Sequence, residues 1–404
     1  MTDDALGQQR PRLRPLDIRR LGDVLVLRDP LGLCPQELLV PVHLAPLLAL
    51  LDGTRDLRQL QASFQLLTGR YVSLSQLEEL VARLDTSLLL DTPSFQEACQ
   101  RALEEFRSAP FRPPALAGQV YPGDAQALSQ ALDGYLQAAP PSEEVADAVG
   151  IISPHIDYGR GWRVYAQVWG AARRAILEAE LVIALGTDHT GGPGAITPTH
   201  QCYSTPYGVL PTYAPAVEDL AKALGEEAFA QELHHRREHS LELALVWLHH
   251  LRGGRPIPVV PVLCGSFAPY VEGDLEPASD GKLEMALRVL ASHMQGKRTL
   301  VVAAADLSHV GPTFGDPFPW GLMERAHLRG ADGKLLAAME AVDAESFLGE
   351  VRACRDRYRI CGLPPIYMAL RLLAGHRGRV LAYEQCPADP QGGSLVSIAG
   401  ALIL

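Results

Sequence analysis

The 404-residue chain is 47% hydrophobic and 21% charged, more apolar material than one ordinary core needs, which predicts two domains. Its formal net charge of −11 argues against phosphate-backbone binding as the main activity, so no nucleic-acid partner is expected. Seven scattered cysteines without a C-x-x-C pair, an N-terminus lacking the apolar core of a signal peptide, and apolar runs far short of the ~20 residues that span a bilayer predict a cytoplasmic protein without a membrane partner.

In chain order, residues 1–14 read as a polar tail within a small first domain covering 1–95. Val24–Leu27, the turn Asp29-Pro30-Leu31-Gly32 and Leu38–Val42 form an expected hairpin. Leu44–Leu51 stops at Asp52-Gly53. Thr54 is expected to cap a helix with Leu57, Leu60 and Phe64 on one face. Ser73 or Ser75 should cap the next, with Leu77, Leu80, Val81 and Leu84 as its stripe. Leu88-Leu89-Leu90 reads as a closing wing strand. Residues 96–114, containing Arg112-Pro113-Pro114, read as a linker. From 115 to 404, apolar strand-like runs alternate with helical ones at 162–178, 213–224, 240–251, 282–293, 333–339 and 366–373. This pattern predicts an α/β fold, a three-layer sheet with helices on both faces.

Several strand-like runs end in polar clusters. Val149–Ile152 leads into Ser153-Pro154-His155, Leu181–Leu185 into Gly186-Thr187-Asp188-His189, and Thr299–Ala305 into Asp306-Leu307-Ser308-His309. Open α/β sheets place their sites beyond the carboxyl ends of strands, so these three ends are expected to converge. His155 and His189 are the leading metal-ligand pair, and Cys361 is the third candidate. A helix starting near Pro364-Pro365 would favour its thiolate. Nitrogen and sulfur ligands suit Fe(II), Cu or Zn rather than Mg or Ca. His309 is the candidate acid/base group, with Asp306 orienting it or joining the metal shell. Asp157, Tyr158, Asp188, Glu238 and His239 are candidates for the surrounding hydrogen bonds, although Glu238 and Glu242 also read as helix N-terminal charges. A competing motif, His235-Arg236-Arg237-Glu238-His239, fits the H-x-x-E-H pattern of inverted zinc proteases.

Pro154-His155 with Tyr158, Gly186 and His189, Thr205-Pro206-Tyr207-Gly208, Glu238-His239-Ser240 with Glu242, Pro261-Val262 with Gly265, Asp306 with Ser308-His309 and Gly311, and Cys361-Gly362 with Pro365-Ile366 together resemble the Memo family. This is the B component of the AmmeMemoRadiSam system, and the resemblance runs from about residue 115 to the C-terminus. Ile156 and Asp157 stand where many members have small residues, and Asp188 where Ser is frequent. The resemblance implies a fold related to class III extradiol dioxygenases and a metal on His155, His189 and Cys361, with Asp306 and His309 close by. Cys361 replaces the carboxylate ligand of those dioxygenases, which argues against catechol chemistry and leaves oxidation at iron or copper open. It also implies AMMECR-type and radical SAM partners. The first domain resembles a PqqD-like winged helix, a module that docks a peptide or partner. Two functions fit: a non-haem iron- or copper-dependent redox enzyme, or a non-catalytic metal-binding or scaffold protein.

Overall fold

Local capping signals build the first part of the chain. The computed structural model describes residues 10–34, 36–141 and 143–404, so most of the expected tail lies outside the described residues. Contacts separate a unit ending at Ser108 from a second, Ala109–Leu404, with the helix Pro93–Ser108 ahead of that boundary. In the first unit, strands β1 (Asp17–Leu21), β2 (Val24–Arg28) and β3 (Leu38–Pro41) form an antiparallel sheet in that order. Val24 pairs with Pro41 and Leu27 with Leu38, the expected hairpin. β1 is mostly exposed and lacks apolar alternation, so it left no signal. Helices follow at Ala45–Leu50, Leu57–Thr68 and Leu74–Thr86.

The second of these is capped by Asp56 instead of Thr54. The Asp56 carboxylate accepts the Gln59 N–H and the Gln59 side chain accepts the Asp56 N–H, while Thr54 is held by Asp52. Ser73 and Gln76 repeat that reciprocal box. Such caps contribute about 1 kcal/mol each. Leu27, Leu47, Leu60, Phe64, Leu77 and Leu84 form the core. Leu90 makes a single bridge to Leu13 where a wing strand was expected.

The second unit is built on strands β4 (Gly150–Ser153), β5 (Leu181–Thr187), β6 (Ile196–Pro198), β9 (Val259–Cys264), β10 (Thr299–Ala304), β11 (His309–Val310), β12 (Gly378–Pro387) and β13 (Leu395–Ile403). A separate hairpin joins β7 (Tyr203–Thr205) to β8 (Gly208–Leu210). The large sheet runs β11-β13-β4-β10-β5-β9-β6, with β12 also paired to β13. Its centre, β4-β10-β5-β9, is parallel and its flanks are antiparallel. Successive residues serve opposite faces: Ile183, Leu185, Val301 and Ala303 belong to one core, and Val182, Ala184, Val302 and Ala304 to the other. Both faces are therefore covered by helices, giving the three layers. Among the described residues no helix is long and apolar enough to cross a membrane.

Candidate metal centre

β4, β10 and β5 are neighbours, so the residues after their carboxyl ends share one edge of the sheet. His155, Asp306 and His189 each stand two residues beyond their strands. The His155 Nδ1–H donates to the carbonyl of Ala304, the last residue of β10 (3.0 Å), which leaves Nε2 as a free lone pair. Asp306 holds the same turn from below, its Oδ1 accepting the N–H of His155 (2.8 Å) and of Ile156 (3.3 Å).

His239 reaches the site because Gly186 has no side chain. A Cβ there would lie 2.6 Å from Ser240 Oγ, so the helix Ser240–Leu251 begins directly against β5, and the Ser240 hydroxyl donates to the Thr187 carbonyl (2.8 Å). The Glu238 carboxylate then ties the turn together. It accepts the N–H of His239 (2.7 Å), Ser240 (2.9 Å) and His189 (3.1 Å). It also meets Nδ1 of His189 (3.0 Å) and of His239 (3.1 Å). Each of the three imidazoles thus spends Nδ1 on a fixed partner and keeps Nε2 available. One ring nitrogen from each of His155, His189 and His239 lies within 4.8 Å of the others, a group that can bind a metal ion. Nδ1 anchoring of this kind is what orients histidine ligands.

The charges fit the same use. Burial, aided by His189 and His239, holds His155 well below its ordinary value, so it is neutral at pH 7. Burial also opposes charge on the His189–Glu238 pair, but their attraction prevails, raising His189 and lowering Glu238. An incoming cation would displace the His189 proton.

Cys361 Sγ lies 3.3 Å from His155 Nε2. Its backbone is brought in by Gly362, whose N–H donates to the Asp306 carbonyl (3.0 Å) and whose Cβ would sit 2.3 Å from that oxygen. Burial pushes the thiol up, against the pull of His189, and Cys361 stands just ahead of the helix Leu363–Leu372. His309 directs Nδ1 at the carbonyls of Leu307 (3.1 Å) and Arg359 (3.2 Å), and its ring meets the edge of Phe314. Burial lowers it to about 4 despite Asp306, while burial raises Asp306.

The remaining candidates hold the framework. Asp157 caps the helix Tyr158–Ala171 and pairs with Arg160. Tyr158 donates to the Leu243 carbonyl (2.7 Å) among Tyr121, Tyr165 and Trp247. Asp188 is bonded to His234 Nδ1 (2.8 Å) and the Thr190 N–H (3.1 Å). Glu242 serves neither a ligand nor a bare helix end; it binds Arg112, the N–H groups of Ala115 and Leu116, and the Tyr121 hydroxyl.

The inverted zinc-protease pattern is corrected by the backbone. Residues Glu232–Arg236 form a 3-10 turn and His239 opens the next helix, so His235 and His239 share no helical face. His235 donates from Nε2 to the Thr197 carbonyl (2.8 Å) and accepts the Tyr203 hydroxyl at Nδ1 (2.7 Å), which leaves no lone pair for zinc. His239, expected as a surrounding group or as a partner of His235 in the H-x-x-E-H pattern, instead joins His155 and His189 in the nitrogen cluster, an approach that depends on Gly186.

A cleft of about 910 Å³ is lined by His189 and Cys361, by apolar Phe267, Val271, Leu363 and Pro364, and by Arg352, Arg355 and Arg359.

Residues 112–402 match the family model described as Memo-like protein. A MEMO1 family protein of Aquifex aeolicus is 28% identical, the match covering 97% of this chain and 99% of that protein. One from Thermus thermophilus is 30% identical over 87% of this chain and 99% of its own length. One from Methanosarcina acetivorans is 26% identical over 72% of this chain and 97% of its own.

Proposed function

This chain belongs to the Memo family, and from that premise we propose that it is a metal-dependent redox protein holding one first-row transition ion, iron(II) or copper ahead of zinc. His155, His189 and Cys361 are the proposed ligands, with His239 beside them. The observation that carries this is the convergence of imidazoles whose Nδ1 atoms are already committed. Neutral nitrogen and a thiol sulfur form a donor set suited to those ions. Such an ion would supply one-electron chemistry and a Lewis-acidic position beside the cleft.

The chain's own groups would do the rest. Glu238 fixes two imidazoles, and Asp306 fixes the His155 turn while holding a carboxyl oxygen 3.8 Å from His155 Nε2. His309, with Nδ1 occupied, offers Nε2 to accept or deliver a proton. AMMECR-type and radical SAM proteins are the proposed partners, with the first unit as a PqqD-like docking module for a peptide. Among the described residues no cysteine is in a disulfide, which supports a reducing, cytoplasmic setting.

The test is metal analysis after anaerobic purification of wild type, His155→Ala, His189→Ala, His239→Ala and Cys361→Ser. We expect close to one ion per chain in wild type, little in the His155 and His189 variants, and weakened retention in Cys361→Ser. Full loading of folded His155→Ala would sink the proposal.

A further inference from the structure

The arginines of the cleft are not equivalent. Arg352 donates from Nε to the Tyr270 carbonyl (2.6 Å) and pairs with Glu276 (2.9 Å). Arg359 donates to the His309 carbonyl (2.9 Å) and pairs with Asp316. Among the described residues the Arg355 guanidinium has neither a hydrogen-bond nor an ion-pair partner, yet it lines the same cleft as His189 and Cys361.

Its backbone conformation is uncommon as well, and is shared by two neighbours. Arg355, Asp356 and Arg359 have φ values of 51°, 46° and 54°, a left-handed region that disfavours residues with a Cβ. The stretch directly follows the helix Ala344–Ala353, where glycine commonly takes this conformation. It is fixed in place by Asp356 N–H to the Val351 carbonyl (3.0 Å), Arg359 N–H to the Asp356 carbonyl (2.9 Å) and Ile360 N–H to the Asp356 carboxylate (2.8 Å). Strain retained at such a position points to a use for its side chain. Here the unspent side chain is a planar cation with the fork geometry that recognises an oxyanion.

We propose that the cleft receives an organic carboxylate, with Arg355 as its anion-binding residue and the rest of the molecule lying along the apolar lining toward His189 and Cys361. Phe267, Val271, Leu363 and Pro364 supply that lining. Glu272, also on the lining and without an ion-pair partner among the described residues, favours a monoanion over a dianionic phosphate. The inference deepens the metal-site reading and rests on it only for what happens at the far end of the substrate.

Benzoate, titrated calorimetrically into the full chain as purified, is the probe, with inorganic phosphate as the comparison and metal content measured on each sample. Arg355→Gln should weaken benzoate binding by about tenfold or more, the loss of a charge-assisted pair, while metal content stays at the wild-type level. Arg357→Gln is the control, because it removes the same charge from a residue that bonds Tyr358 and His327 and does not line the cleft. Absence of benzoate binding in wild type, equal weakening in both variants, or phosphate binding tighter than benzoate would each overturn the proposal. Arg355-dependent benzoate binding by protein that carries no metal would instead sustain it and count against the metal-site reading.

Discussion

Two regions of the second unit bring histidines into the interior and put them to opposite uses. Beyond β4 and β5, His155 and His189 commit Nδ1 to Ala304 and Glu238 and leave Nε2 unspent. In the turn Glu232–Arg236, His235 is as deeply buried as His155, while His189 stands exposed, and it commits both nitrogens, one to Thr197 and one to Tyr203. Between His155 and His235, residue type and burial are therefore the same while the chemistry differs. What makes a ligand is an unspent lone pair aimed at others of its kind, and that is fixed by the hydrogen bonds on the far side of the ring.

The largest contrast should come from paired substitutions. His155→Ala should remove nearly all metal, whereas His235→Ala should leave metal stoichiometry unchanged; the reverse pattern, read by metal analysis of folded protein, would break the comparison. Next in size is His309→Gln. Gln can hydrogen-bond but cannot relay a proton, so oxygen consumption under reductant should fall on the order of 10²–10⁴ at full metal loading. Equal consumption in both proteins would favour a metal-holding or scaffold role over a redox enzyme.

The third effect is pH-dependent stability at His235. Burial lowers its pKa from the ordinary 6.5 to about 4, so the unfolded imidazole takes a proton at a higher pH than the folded one. Its contribution is complete above pH 6.5 and is lost as pH falls toward 4, roughly 3 kcal/mol in all. Denaturant unfolding of wild type and His235→Gln across that window should show a shallower acid limb in the variant, and parallel limbs would contradict the assignment. The smallest expected change is Glu238→Gln, which keeps the shape of the turn but weakens the hold on two imidazoles. Metal affinity should drop about 10- to 100-fold, measured by competition with a chelator.

The two units also differ in how much of them a local reading recovers. In the first, the β2–β3 hairpin and the Ser73 cap follow from neighbouring residues, and even the misplaced cap at Thr54 missed by only two positions. In the second, the runs that became β4, β5 and β10 stand out because strands buried on both faces are continuously apolar. β13 did not stand out, although every residue in it is buried. Its Ser397, Ala399 and Gly400 look like loop residues, and Gly400 is small because Val168 of the facing helix would meet a Cβ at 2.9 Å.

By itself the sequence determined the layered α/β architecture and the placing of His155, His189 and Asp306 just beyond strand ends, because hydrophobic period and strand polarity are written locally. Tertiary structure alone decided that β4, β10 and β5 are adjacent and that a glycine at 186 admits the helix Ser240–Leu251, which Glu238 and His239 precede. It also decided that Arg352 and Arg359 are spent while Arg355 is not. Those outcomes depend on which groups meet across long stretches of chain, and the valence of a side chain, its remaining lone pair or N–H, exists only once its partners have been assigned.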